Sequence, residues 1–190
     1  MEDLKTFLQS IAPLSDAEWE ASRATFQSRV LQKGDFFVQH GQLCRQIAFI
    51  QYGTLRNYYL NERAEEVTAC FCTERQFATS YKSFITQEAS TLALEAIEET
   101  AIFTLEYEEL QKMYARSAAW QTIGRTLAER EYIVMERYAS VLNNESAKEK
   151  YLRLMREQPS VIQKAKVEHI ASYLGVTRRT LSRIRKEISA

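Results

Sequence analysis

Val167-Glu168-His169-Ile170-Ala171-Ser172-Tyr173-Leu174-Gly175-Val176-Thr177-Arg178-Arg179-Thr180-Leu181-Ser182-Arg183-Ile184-Arg185-Lys186 is the stretch that decides how the chain is read. Its spacing predicts two helices joined by a tight turn. Ile170 and Leu174 are four apart and share one face of the first helix. Ala171 is small where two helices must cross closely. Gly175 stands where the first helix ends and the backbone turns left-handed. Val176 plugs the turn into the core, and Thr177 can cap the second helix. Leu181 and Ile184 face inward. Arg178, Arg179, Thr180, Ser182, Arg183 and Lys186 are left outside, with Thr177 at the head of the helix. This is the pattern of a helix-turn-helix whose second helix, at about 177–186, reads a major groove. Arginine forks suit guanine edges, and Thr and Ser hydroxyls and Lys suit phosphates.

The charge distribution points the same way. The chain has 190 residues, with 25 Lys+Arg against 25 Asp+Glu. Cut at Glu145/Ser146, it has 14 basic and 21 acidic residues before the cut, and 11 basic and 4 acidic after it, balances of −7 and +7. A basic tail on an acidic body fits a polyanionic partner. A hydrophobic share of 45% is globular. No run approaches the roughly 20 apolar residues of a membrane span. The start, Met1-Glu2-Asp3-Leu4-Lys5, lacks a signal-peptide pattern, and three cysteines are an odd number. The expectation is a soluble cytoplasmic protein with no membrane partner.

Upstream, Ser15-Asp16-Ala17-Glu18 is a capping-box pattern opening a helix through about Phe26. From Val30 to Leu105, Gly34, Gly41 and Gly53 punctuate short β-rich runs: 36–38, 47–50, 55–60, 67–72, 92–97 and 101–105. Such runs predict an antiparallel sandwich or barrel. Residues 108–114 read as a short helix and about 117–143 as a long one. In the long helix Trp120, Leu127, Val134 and Val141 recur every seven residues, beside Ala128, Met135 and Leu142, with Ile123 and Tyr138 widening the stripe. Such a seam packs on its own domain or pairs with a second copy. Glu131 lies along it. Asn143-Asn144 ends this helix, Ser146 caps the next, through Glu157, and Pro159 breaks the chain. The domains are therefore 1–145 and 146–190.

With these residues in hand, the chain resembles the Crp/Fnr family of bacterial transcription regulators over nearly its whole length. Ile170-Ala171, Leu174-Gly175 and Leu181-Ser182-Arg183 are similar to that family's recognition signature. Lys33-Gly34-Asp35 and Gly53-Thr54-Leu55-Arg56 look like its β-roll turns. The resemblance implies an α+β fold: an N-terminal antiparallel β-roll (jelly roll, cyclic-nucleotide-binding-like), a long dimerisation helix and a C-terminal winged helix-turn-helix. It also implies a homodimer on a palindromic operator in double-stranded DNA, and RNA polymerase as a partner. Thr177, Arg178, Arg179 and Arg183 fall on the family's DNA-contacting positions. Arg179 stands where Glu is frequent, so the operator should differ. Ala190 follows soon after the second helix, so a wing hairpin beyond it would be short or absent.

The cyclic-nucleotide-binding members carry Gly-Glu and, further on, Arg-Ser around the cyclic phosphate. With Phe77 and Ala96 aligned to that pattern, Thr79-Ser80 and Ser90-Thr91 stand in those places. The effector pocket, Phe77, Thr79, Ser80, Ser90 and Thr91, is thus degenerate. Without its cation, a buried phosphate loses its charge-assisted anchor, so ordinary cyclic AMP binding should be lost or very weak. Arg56 or Lys82 could supply a displaced cation. Tyr58, Tyr59, Phe77, Tyr81 and Phe84 read either as core aromatics or as the lining for an unidentified small-molecule effector. Cys44, Cys70 and Cys72 read as small hydrophobes, with a redox role left open. The spacings match no zinc, haem or iron–sulfur pattern, so no metal or cofactor is expected. His40 and His169 are the only histidines, too few for a metalloenzyme cluster, and no nucleophile elbow or P-loop appears. An enzyme is not expected. The alternative to a DNA-binding regulator is a ligand-sensing β-roll whose helical tail contacts protein. Salt dependence separates the two.

Overall fold

The computed structural model describes residues 1–142 and 145–189. Two helices, α1 (Glu2–Gln9) and α2 (Asp16–Arg23), open the chain. Ser15 caps α2 as expected: its hydroxyl accepts from the Glu18 N–H while the Glu18 carboxylate accepts from the Ser15 N–H. Eight strands follow: β1 (Gln27–Leu31), β2 (Phe36–Val38), β3 (Gln46–Tyr52), β4 (Leu55–Leu60), β5 (Glu66–Cys72), β6 (Phe77–Ala78), β7 (Leu92–Ala96) and β8 (Thr100–Glu106), with the short helix α3 (Tyr81–Thr86) between β6 and β7.

The strands form two four-stranded antiparallel sheets, ordered β1-β8-β3-β6 and β2-β7-β4-β5. Strand alternation gives each sheet two apolar faces. Between the sheets lie Leu31, Val38, Ala48, Ile50, Leu55, Leu94, Ala96 and Ile102. On the far side of the first sheet, Phe49, Phe103 and Leu105 pack with Leu4, Leu8, Trp19 and Phe26 and with two further helices, α4 (Tyr107–Arg116) and α5 (Ala118–Leu142). On the far side of the second sheet, Phe71 and Ile97 pack with Tyr151, Leu154, Val161, Ile170, Ala171, Leu174, Leu181 and Ile184. The last group comes from α6 (Ala147–Glu157), α7 (Pro159–Lys164), α8 (Val167–Leu174) and α9 (Arg178–Ser189). The layers therefore run helix, sheet, sheet, helix.

The 25-residue α5 divides along its seam. Trp120 and Ile123 are buried against the first sheet's outer cluster, and Leu127 packs against it. Further along, Tyr132, Ile133, Val134 and Met135 are exposed. The side chains of Tyr138, Val141 and Leu142, and residues Asn143 and Asn144 with the expected helix end, lie outside the described residues. Ser146 caps α6 through a second capping box with Glu149. Pro159 does not break the chain. It occupies the first position of α7, where its missing N–H is needed by no helical bond. Among the described residues no strand follows β8, so the wing implied by the family resemblance is absent there. None of the described helices is long and apolar enough to cross a membrane.

Candidate nucleic-acid interface

The α8–α9 pair is built as its spacing predicts. Gly175 ends α8 in the left-handed conformation, φ 70°. The Thr177 hydroxyl then accepts from the Thr180 N–H at 3.2 Å, capping α9. Leu181 and Ile184 are buried with Ile170, Ala171 and Leu174. On the opposite side Thr177, Arg178, Arg179, Ser182, Arg183 and Lys186 are exposed. Thr180 is half-buried, 3.0 Å from the Thr177 hydroxyl. Arg179 and Lys186 have no ion-pair partner among the described residues, and Arg183 has only Glu187 at 3.8 Å on an exposed face. Arg185, outside the predicted contact set, turns inward: its Nε donates to the Tyr151 hydroxyl at 3.1 Å. One side of α9 thus presents arginine forks, a lysine and hydroxyls to solvent, the donor set that suits base edges and phosphates.

Behind this face, α8 lies on β5. The Ser172 hydroxyl accepts from the Thr68 N–H at 3.0 Å and donates to the Glu66 carbonyl at 3.1 Å. Gln158 Nε2 donates to the Phe71 carbonyl at 3.0 Å, and Lys164 pairs with Glu98. At the centre is Arg56, only 1% exposed. Its Nη1 pairs with Glu66 at 2.6 Å and Glu95 at 3.5 Å, its Nε donates to Thr68 at 2.9 Å, and the guanidinium lies 4.3 Å over the Tyr58 ring. The same Nη1 is 3.2 Å from His169 Nε2. Arginine only donates, so Nε2 must accept and the proton of the neutral ring sits on Nδ1. Burial, with the Arg56 charge adding to it, pushes the His169 pKa down to about 4. His169 lies within the helix-turn-helix stretch, on the side of α8 that faces the β-roll. No local signal marks Arg56 and His169 as partners, because they are 113 residues apart in the chain.

The positions expected to line an effector pocket fall into two groups. Thr79, Ser80 and Ser90 are tied into the roll: the Thr79 hydroxyl donates to the Gln46 carbonyl at 3.0 Å, and the Ser90 hydroxyl donates to Ser80 Oγ at 2.7 Å. Phe77 packs among Phe7 and Phe49, while Thr91 is exposed. Arg56 is not the displaced cation. It alternates with Leu55, which faces the inter-sheet core, and so points out of the roll toward α8. Lys82 is exposed on α3. The five aromatics do not converge either: Tyr58 sits under Arg56, Phe77 and Phe84 join the core beside the first sheet, and Tyr59 and Tyr81 are exposed. A cavity of about 340 Å³ lies between α2, α4 and α5, lined in part by Ala21, Met113, Arg116 and Trp120, and none of the predicted pocket residues borders it.

All three cysteines are free thiols. Cys44 is buried, 3.2 Å from the Thr79 hydroxyl. Cys70 and Cys72 are half-buried on β5. Among the described residues no group of three or more His, Cys, Asp or Glu side chains could hold a metal ion.

No family model matches the sequence, and no curated protein matches it. Solved structures do. FixK2 from Bradyrhizobium japonicum is 16% identical with a TM-score of 0.74, over 86% of this chain and 84% of that one. A Eubacterium rectale protein described as a transcriptional regulator of the crp/fnr family is 20% identical, TM-score 0.69, over 93% and 84%. The c-di-GMP responsive global regulator CLP of Xanthomonas campestris is 16% identical, TM-score 0.69, over 92% of each chain. At such identities these neighbours show that this chain has their fold: antiparallel sheets and helices in the cyclic-nucleotide-binding-like arrangement.

Proposed function

We propose that the chain is a DNA-binding transcription regulator of the Crp/Fnr type. It binds a palindromic operator as a homodimer, inserting α9 of each copy into the major groove. The carrying observation is the two-sided character of α9: Leu181 and Ile184 in the core, and Arg178, Arg179, Ser182, Arg183 and Lys186 exposed after the Thr177 cap. Residues 146–190 hold this unit, and residues 1–145 hold the β-roll and α5. The exposed Tyr132–Met135 segment of α5 pairs with its counterpart, setting the two recognition helices one DNA turn apart, roughly 34 Å. An effector in the β-roll shifts the population between competent and incompetent dimers. RNA polymerase is the downstream partner, in the cytoplasm.

The effector is not ordinary cyclic AMP. Ser80 and Ser90, hydrogen-bonded to each other, stand at two of the positions where the cyclic-nucleotide cassette carries its acidic and cationic residues, and Arg56 is engaged on the other face of its sheet. Isothermal titration should show no micromolar binding of cyclic AMP or cyclic GMP; such binding would overturn this part. The DNA reading is tested by binding-site selection from random duplexes with the purified protein. Enrichment of a two-fold symmetric site, with affinity that falls steeply with salt, is expected. Failure to enrich any duplex would favour a tail that contacts protein.

A further inference from the structure

Strand β5 has different chemistry on its two faces. Its pairing with β4 runs Cys72 to Leu55 and Cys70 to Asn57, and then slips, so that Thr68 faces Tyr58. Two residues of β5 therefore oppose one of β4, a bulge at Ala69. The bulge changes which face the side chains take. Phe71 and Thr68 hold the α6–α9 layer: Phe71 packs 5.7 Å from the Tyr173 ring and takes the Gln158 hydrogen bond, and the Thr68 N–H donates to Ser172. Cys70 and Cys72, alternating with Phe71, share the other face, where Cys72 packs on the inter-sheet core. Both residues are half-buried, and β5 is the edge of its sheet. The Cys72 thiol holds the Cys70 thiol below its ordinary range, and Cys72 is itself pushed well above it by Cys70 and burial. The charge of Glu131 on α5 reaches both.

We propose that Cys70 and Cys72 form a reversible dithiol oxidation site for hydroperoxides, and that closing it loosens the dock of the α6–α9 layer on β5. Cys70 sulfur attacks a peroxide oxygen: an S–O bond forms, the O–O bond breaks, and the alcohol (or water, from hydrogen peroxide) leaves. The Cys72 sulfur then attacks the sulfenic sulfur: the S–S bond forms, the S–O bond breaks, and water leaves. The dithiol loses two hydrogens and the peroxide is reduced by two electrons. Two strand residues at i and i+2 span about 6.7 Å between Cα atoms, close to the upper limit of roughly 6.8 Å for a bridged pair. Bridged pairs usually sit about 5.5–6 Å apart, so closing the bridge draws β5 in, and the Ala69 bulge is the adjacent place where it can yield. Phe71 lies between the two sulfurs in sequence and moves with them. A bridge under such strain is readily reduced, as a switch requires.

The test uses the full chain, fully reduced, treated with stoichiometric hydrogen peroxide, alkylated and digested with trypsin. The fragment from Ala64 to Arg75 contains both thiols. It should become two hydrogens lighter and refuse alkylation until dithiothreitol is added. Cys70→Ser and Cys72→Ser should each prevent this, and Cys44→Ser should not. In the bridged wild-type protein, amide exchange across α8 should quicken roughly tenfold and recover on reduction. Two free or separately over-oxidised thiols would overturn the site, and a bridge with unchanged α8 exchange would overturn the coupling. Both readouts are independent of DNA; only the further consequence, a change in operator affinity, rests on the function proposed above.

Discussion

Arg56 and His169 show how a single buried cation organises the meeting of the two halves. A guanidinium 1% exposed is tolerated because Glu66, Glu95 and Thr68 occupy its donors and Tyr58 lies beneath it. His169 completes the set only while neutral. Its folded pKa, about 4, lies below the ordinary 6.5. The unfolded chain therefore binds more protons between those values, so this histidine makes stability rise with pH across the window and fall as pH drops from about 6.5 toward 4. The loss by pH 4 is on the order of 3 kcal/mol. Denaturant titrations at pH 7 and pH 4.5 should show a larger drop for wild type than for His169→Gln, whose amide oxygen can accept from Arg56 without titrating. Equal drops would contradict the contact. Gly175 gives a second residue-scale case. Nothing lies within 4 Å of a Cβ built there, yet φ is 70°, so Gly175→Ala loses backbone ease alone, roughly 1–2 kcal/mol. Chemical denaturation should show that loss, with much of it recovered in Gly175→Asn, a residue that visits this conformation.

At the scale of elements, α9 makes distinct predictions for distinct side chains. Arg178→Ala and Arg183→Ala should each flatten preference at one base position by roughly 1–3 kcal/mol. Lys186→Ala should weaken all duplexes evenly. Anisotropy titrations on the selected site and its single-base variants would measure this, and no change in any variant contradicts the groove assignment. Helix α5 carries another. Ile133→Glu and Met135→Glu lie on its exposed half, so they should leave the melting temperature of the β-roll nearly unchanged. They should raise the dimer dissociation constant at least about tenfold in sedimentation equilibrium. An unaffected dimer would rule out pairing through this segment. The elements differ in how plainly they can be read in the chain. The Ser15–Glu18 capping box, the Ser146 cap and the Gly175 turn are local patterns, and each appears where its spacing puts it, whereas the seven-residue seam of α5 is packed only at Trp120, Ile123 and Leu127 among the described side chains. β1 has no such pattern, since four of its five residues are exposed. β6 is two residues long, too short for any alternation to register. Pro159 shows the limit of one-residue rules, because the same ring that ends a helix can begin one.

Across the whole molecule, what is hidden from the sequence is long-range. The layer order and the docking of α8 on β5 depend on contacts such as Arg56–His169 and Thr68–Ser172, more than a hundred residues apart, and no local periodicity encodes them. For the same reason Arg56 is offered as an effector cation by its place in the chain and removed from that role by the face it occupies. The charge asymmetry is legible and bears directly on function: the −7 and +7 halves meet with the basic side of α9 turned to solvent. The most direct test of the central claim, that this side reads DNA, is selection of binding sites from a random duplex pool followed by titration of the selected duplex across salt concentrations. The account predicts an inverted repeat with half-site centres about 10 base pairs apart and a log–log salt slope of several units, reduced by about one in Lys186→Ala. No enriched duplex, or a slope near zero that Lys186→Ala leaves unchanged, would contradict it.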